Sequence, residues 1–310
     1  MYVYGPVPSR RLGRSLGVSP IPSKTCSYSC VYCQLGRTTS LEAERKRYFP
    51  KENILKEILQ KVSSSEADFI TFVGDGEPTL NADLGWLIRQ TKKETRLPIA
   101  VITNGSLFFM KDVRDDLLSA DVVLPTLDAG EQEIFKRINR PHKSIDFDTM
   151  LQGQTDFRKE FSGMIWLEVM LVKGLNDSIE QLEKIKGAVD KINPDRIYIS
   201  VPIRPPAEKW AEIPAPDAIL KAQEILQGST SLDMLESGEF GIEEFSDTKQ
   251  AILEIGSRHP LRKSQAYEIE KRLSETGIVD SMISDRELFE MEYNNETYLM
   301  PSHLKHHKNR

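Results

Sequence analysis

The sequence predicts an α/β protein, a parallel sheet with helices outside, followed by a smaller C-terminal domain of winged-helix pattern. Three observations predict it. Six apolar, strand-like runs alternate with helix-like segments between residues 15 and 201, the pattern of a buried parallel sheet. A proline-rich stretch then breaks the alternation, with Pro202, Pro205, Pro206, Pro214 and Pro216 crowded together. Beyond it come three short helical segments and a strand pair.

After an opening loop, residues 15–19 read as a short strand leading into a cysteine-bearing loop. Ile54, Leu55, Ile58, Leu59 and Val62 share one side of a helix over 51–62. Residues 68–73 form a buried strand ending at Gly74-Asp75-Gly76-Glu77-Pro78, and Asn81 is placed to cap a helix carrying Leu84, Leu87 and Ile88. A strand over 98–102 ends at Thr103-Asn104-Gly105, with a helix expected over 107–118. A strand over 121–127 precedes Asp128, a helix falls within 147–161, and a strand covers 164–172. Asp177 is placed to cap a helix with Ile179, Leu182, Ile185, Val189 and Ile192 on one face, and 196–201 is the sixth strand. A helix over 218–226 and a weakly patterned acidic stretch follow. Helices are then expected over 248–257, from a Ser264 cap to 273, and over 278–283, with strands 288–293 and 296–300 pairing across Asn294-Asn295. The expected division is 1–205, a connector over 206–246, a winged-helix-like domain over 247–301, and a disordered tail over 302–310.

Composition narrows the class. No apolar run approaches the roughly 18 residues of a membrane span, and the first nine residues lack a secretory start. The expectation is a cytoplasmic protein with no membrane partner. Three cysteines within eight residues suit no disulfide framework, but they suit a reducing compartment. Net charge is −6, unevenly spread. Residues 1–50 hold eight Lys/Arg against Glu42 and Glu44, leaving a surplus of six positive charges on an otherwise acidic chain. Arg10, Arg11 and Arg14, just ahead of the cysteines, suggest an anionic ligand, substrate or partner; the Arg45-Lys46-Arg47 run reads equally well as a solvated face.

Cys26-Ser-Tyr-Ser-Cys30-Val-Tyr-Cys33 lets one loop wrap one iron–sulfur cluster, because thiolates are the soft ligands such clusters take. Three ligands leave one iron of a [4Fe–4S] cluster open to substrate. The rival is zinc on three Cys and a His, but no histidine stands near the triad. With the aromatic Tyr32 before its last cysteine, this stretch resembles the CxxxCxΦC motif of the radical SAM superfamily. The resemblance covers about residues 10–205 and implies a partial (β/α)6 barrel. In that superfamily the open iron chelates S-adenosylmethionine (SAM), and one-electron cleavage yields a 5′-deoxyadenosyl radical that abstracts hydrogen from substrate.

Other motifs fit the resemblance. Gly74, Asp75, Gly76 and Glu77 match a GGE-type turn, with Asp75 in place of the commoner glycine. Glycines let backbone approach a ligand, and free carbonyls or the carboxylate can accept bonds from the SAM ammonium. Thr103 and Asn104 resemble the Thr-Asn-Gly that shapes the SAM pocket. Thr126 and Asp128 end one strand and Glu168 lies inside the next; a charge there is unusual unless paired or functional, and Asp128 and Glu168 are assigned to the SAM ribose or the substrate. In barrel enzymes such positions, at the C-terminal ends of strands, form the site.

No cysteine remains for an auxiliary cluster. The opening Gly5-Pro6-Val7-Pro8-Ser9-Arg10-Arg11-Leu12-Gly13 is similar to a subgroup often labelled Fe–S oxidoreductase or wyosine-synthase-like, although wyosine-forming enzymes need a second cysteine triad that this chain lacks. Residues 247–310 carry ten Lys/Arg and eleven Asp/Glu, so nucleic acid, which selects a positive footprint, is less favoured than protein or peptide. The expected function is radical SAM chemistry on a macromolecule, protein or peptide ahead of RNA. The alternatives are a glycyl-radical-enzyme activase and an iron–sulfur sensor of nucleic acid. Flavodoxin or ferredoxin is the expected electron donor, docking on the basic N-terminal segment through Arg10 and Arg11.

Overall fold

The computed structural model describes residues 1–232, 240, 242, 245 and 247–304. The chain opens with β1 (Val3–Ser9) and β2 (Gly13–Val18), an antiparallel hairpin. Two short strands, β3 (Thr25–Cys26) and β4 (Ser40–Leu41), pair in parallel and enclose the cysteine loop. Alternation then sets in: α1 (Lys51–Ser64), β5 (Phe69–Val73), α2 (Leu84–Glu94), β6 (Ile99–Ile102), α3 (Lys111–Leu117), β7 (Val122–Leu124), α4 (Gln132–Ile138), α5 (Phe147–Glu160), β8 (Met164–Met170), α6 (Ile179–Ile192), β9 (Arg196–Ser200), α7 (Pro216–Ile225) and β10 (Thr230–Ser231).

The sheet order is β1-β2-β5-β6-β7-β8-β9-β10, parallel from β2 onward. All six expected strands are present. The two edge strands are additions: β1 lies in the opening loop, and β10 lies in the expected connector, so the sheet does not stop at residue 205. Helix α4 was also unforeseen, being too short for a clear period.

Strand residues alternate between two cores, as a period of two requires. In β8, Ile165, Leu167 and Val169 face the helices, whereas Trp166 joins an inner cluster with Leu12, Val122, Leu124 and Tyr198. Phe69 of β5 and Trp166 of β8 are three strands apart, about 14 Å across a flat sheet, yet their ring centroids are 6.5 Å apart. The sheet is therefore curled into a partial barrel. The outer helices bury ordinary amphipathic stripes; in α6, Leu182, Ile185, Val189 and Ile192 are at most 4% exposed, each stabilising by about 1.5–3 kcal/mol. Its cap is Ser178, which accepts from the Gln181 N–H; Asp177 instead accepts from Gly174 N–H, and Ile179 is exposed. Likewise Asp83 occupies the N-cap position of α2, and Asn81 lies two residues ahead, accepting the Asp83 N–H.

The C-terminal module comprises α8 (Thr248–Arg258), β11 (Leu261–Arg262), α9 (Lys263–Arg272), α10 (Ile278–Ser284), β12 (Leu288–Tyr293) and β13 (Glu296–Pro301), with a three-stranded antiparallel sheet ordered β11-β13-β12. Arg262, not Ser264, is the N-cap residue of α9. Asn294 and Asn295 both have positive φ (51° and 61°), as a two-residue hairpin of this twist demands. The module has its own core, including Ile252, Ile255, Ile269, Val279 and Met282. The tail expected to be disordered is ordered at its start: Ser302–Leu304 forms a 3-10 turn with Leu304 buried, while 305–310, like most of 233–246, lie outside the described residues. Among the described residues no helix is long and apolar enough to cross a membrane.

Candidate active site

A cavity of about 290 Å³ opens where the parallel strands end, at Val73, Ile102, Thr126, Met170 and Val201. Every residue assigned from the sequence except Asp128 lines it.

The cysteine loop is held from outside. Ser29 and Val31 donate their N–H groups to the Asn139 and Ile138 carbonyls at 3.0 and 2.9 Å. The Glu208 carboxylate accepts from Arg37 at 2.7 and 3.0 Å and from Arg140 at 2.5 Å. Within the loop, Gly36 donates to the Cys33 carbonyl at 3.0 Å with φ +83°, a left-handed backbone that suits glycine. The three thiols are free and face the cavity. Cys26 Sγ accepts from the Tyr28 N–H at 3.5 Å and from Asn104 Nδ2 at 3.6 Å; Cys30 Sγ accepts from Asn139 Nδ2 at 3.6 Å. Burial, and for Cys26 also the charge of Glu77, pushes that thiol up to about 12, and burial moves Cys30 and Cys33 in the same direction. The N–H donors, with Lys24 beside Cys33, oppose this by favouring thiolate.

The three cysteines line the cavity together, and no histidine is among the residues that line it; this all-thiolate donor set fits an iron–sulfur cluster.

The glycine turn is held from inside. A Cβ on Gly76 would lie 1.8 Å from the Thr25 carbonyl oxygen, so only glycine permits this approach. Lys24 donates its N–H to the Asp75 carbonyl at 2.6 Å, and Glu77 donates to the Thr25 carbonyl at 3.0 Å. Glu77 is 1% exposed. One carboxylate oxygen accepts from the Thr79 N–H (2.9 Å), the Thr79 hydroxyl (2.5 Å) and the Thr103 hydroxyl (2.6 Å); the other accepts from the Asn104 N–H (2.7 Å). With these bonds the carboxylate braces the turn against the end of β6.

Asp128 is also inward. It is 2% exposed and accepts from the Tyr32 hydroxyl (2.5 Å), Asn139 Nδ2 (2.6 Å) and the Met170 N–H (2.8 Å). Burial raises it to about 7. Asp128 orients Tyr32 and Asn139 from behind and does not reach the cavity as expected. Glu168 does. It pairs with Arg11 and accepts from the Ser200 hydroxyl at 2.5 Å. Burial alone would push its carboxyl up, but Arg11, Ser200 and Arg10 hold it below the ordinary range.

The basic segment dissolves into ion pairs. Arg11, Arg14, Arg37, Arg45, Lys46 and Arg47 each meet a carboxylate, while Arg10 and Lys24 line the cavity. Arg11 is turned into the barrel, so it offers no docking surface to an electron donor. Sequence reasoning missed Asn139, Glu208, Gln34 and Arg204. The signal for the first was a polar residue two positions before Pro141; for Glu208 it was an acid within the proline-rich stretch.

A curled parallel sheet with three thiols at its carboxyl end defines a partial-barrel iron–sulfur enzyme. A family model described as the radical SAM superfamily matches residues 21–189, and the chain belongs to that superfamily. It is also 36% identical over 316 residues to a UPF0026 protein of Methanocaldococcus jannaschii, covering 99% of this chain and 98% of that one, and so belongs to the UPF0026 family. Two solved structures share the fold. TYW1 with a lysine-pyruvate adduct bound has a TM-score of 0.52 at 21% identity, covering 69% of this chain and 72% of that one. An anSMEcpe structure with bound AdoMet has a TM-score of 0.51 at 18% identity, covering 68% and 58%. Enzymes of this superfamily use a [4Fe–4S] cluster and SAM, and this chain is a SAM-dependent iron–sulfur enzyme.

Proposed function

We propose that the enzyme abstracts hydrogen from a macromolecular substrate, protein or peptide ahead of RNA. The observation that supports this reading is the seat of the C-terminal module beside the cavity. Tyr293 and Tyr298 donate their hydroxyls to the carbonyls of Pro202 and Ile203 at 2.6 and 2.9 Å, and both of those residues line the cavity. A substrate held on a winged-helix-like module in this place meets the site without further travel. The module's near-neutral charge favours protein over a polyanion.

Bound at Cys26, Cys30 and Cys33, a [4Fe–4S] cluster with SAM supplies one-electron cleavage to a 5′-deoxyadenosyl radical. The chain's own residues then have separable duties. Asn104 and Asn139 donate to the thiolates and orient them. Residues 74–76 present backbone to the SAM amino acid, Thr103 and Asn104 shape the adjoining wall, and Thr126 and Glu168 offer oxygens to ribose or substrate hydroxyls. Ile102, Met170 and Val201 keep water from the reacting centre.

The test is anaerobic loading with iron and sulfide, reduction with dithionite, and assay for 5′-deoxyadenosine. The parent should form it and Cys30→Ala should not; a loaded parent that forms none overturns the reading. Covalent change in a co-purified protein or peptide, dependent on residues 247–304, identifies the substrate class.

A further inference from the structure

Asp75 stands where the superfamily's turn commonly has glycine, and the fold provides this departure with a partner. Its carboxylate lies 3.3 Å from Arg258 Nε, in a pair only 15% and 14% exposed. Arg258 ends α8, in the C-terminal module. Its guanidinium covers the Tyr4 ring at 4.7 Å and donates to the Met1 carbonyl at 3.4 Å. Its own carbonyl accepts from Gln34 Nε2 at 3.0 Å, and Gln34 directly follows Cys33. Gln34 Oε1 accepts in turn from Arg204 Nη1 at 2.6 Å, and Arg204 Nη2 meets His259 Nε2 at 2.7 Å. One helix end thus grips both the glycine turn and the residue beside the last cysteine.

The backbone passes this grip on. Asp75 accepts the Lys24 N–H at 2.6 Å and donates its own N–H to Ser19 Oγ at 3.2 Å, and Lys24 and Thr25 lead straight into Cys26. Burial raises the Asp75 carboxyl, and Arg258 is the largest influence drawing it back. Without the arginine, a buried carboxylate would be left beside the turn at a cost.

We propose that Arg258 is a positioning residue for SAM: through Asp75 and Gln34 it fixes the glycine turn and the cluster loop relative to each other. The C-terminal module therefore sets SAM affinity as well as meeting substrate. This rests on the reading of residues 74–76 as a wall of the SAM pocket.

The experiment is equilibrium dialysis of labelled SAM against the full chain, loaded anaerobically, without reductant or substrate, with iron and sulfide measured in parallel. Arg258→Gln and Asp75→Asn should keep their iron and sulfide yet bind SAM roughly tenfold more weakly, the scale of one charge-assisted contact. The double variant should be no weaker than either single, since both remove the same contact, and Arg258→Lys should recover part of the loss. Asp75→Asn leaves the Tyr4–Arg258 stack in place, so it carries the test if Arg258→Gln melts early. SAM binding within about twofold of the parent in the folded, loaded single variants, or fully multiplicative losses in the double, overturns the latch. A loaded parent that binds no SAM overturns the pocket reading instead, and the latch with it.

Discussion

Across one cavity, the cysteine loop is held by residues outside itself, whereas the glycine turn is braced in large part by a carboxylate of its own, that of Glu77. Asn139, Glu208 and Arg258 reach the loop from a helix end, from the proline-rich segment and from the end of α8, where the Arg258 carbonyl accepts from Gln34. The three thiols are thereby left without structural duty and open to a cluster. In the turn, both carboxylate oxygens of Glu77 accept from Thr79, Thr103 and Asn104, and the Asp75 carboxylate pairs with Arg258. The difference separates side chains that do chemistry from side chains that make room for it. An acidic residue in a glycine turn can serve as scaffold.

The sharpest way to break this comparison is Glu77→Ala. It strands four buried or half-buried donors, and stability should fall by about 3 kcal/mol, read as a lower denaturation midpoint. A variant that keeps the parent's midpoint and loses only SAM binding would return Glu77 to the ligand. Glu208→Ala should cost less, about 1 kcal/mol, because Arg37 and Arg140 are partly solvated and can turn to water. Its loss should appear mainly as slower cluster loading, since the loop and not the barrel is loosened.

A pH profile sharpens the contrast from the cavity floor. Glu168 is held below its ordinary range, so the stability it contributes is complete above its unfolded value, about 4.3. It is lost as pH falls through that value and then through the lower folded one. The parent's melting temperature should therefore fall more steeply on acidification than that of Glu168→Gln; parallel curves would show that the Arg11 pair contributes nothing. The smallest effect is expected from Asn139→Ala, which removes one N–H donor from Cys30 Sγ. The cluster's reduction potential should drop by a few tens of millivolts, measured by redox titration with an electron paramagnetic resonance readout. An unchanged potential would reduce Asn139 to a prop for Asp128.

The barrel was legible because its information is local. Near-continuous apolar runs such as Phe69–Val73 and Met164–Met170 announce strands buried on both faces, and Cys26, Cys30 and Cys33 announce their chemistry by spacing alone. The strand pair of the C-terminal module was legible for the same reason, through Asn294-Asn295. Edge strands were not: β10 has two residues, too few for any period, and β1 contains Gly5, Pro6 and Pro8, which read as loop.

What the sequence determined by itself was the order of most elements, the close spacing of the three cysteines and the strand ends around which a site would form, because backbone period and residue spacing are properties of neighbours along the chain. What only the tertiary structure decided was the use of each charge. Eight basic residues that looked like a docking patch are mostly consumed by carboxylates such as Glu66, Asp116, Glu168 and Glu208, far away in the chain. Glu77, Asp128 and Glu168 look alike as letters yet differ as brace, orienting group and cavity wall. Burial and hydrogen-bond partners set those roles, and both come from residues that meet only when the sheet curls.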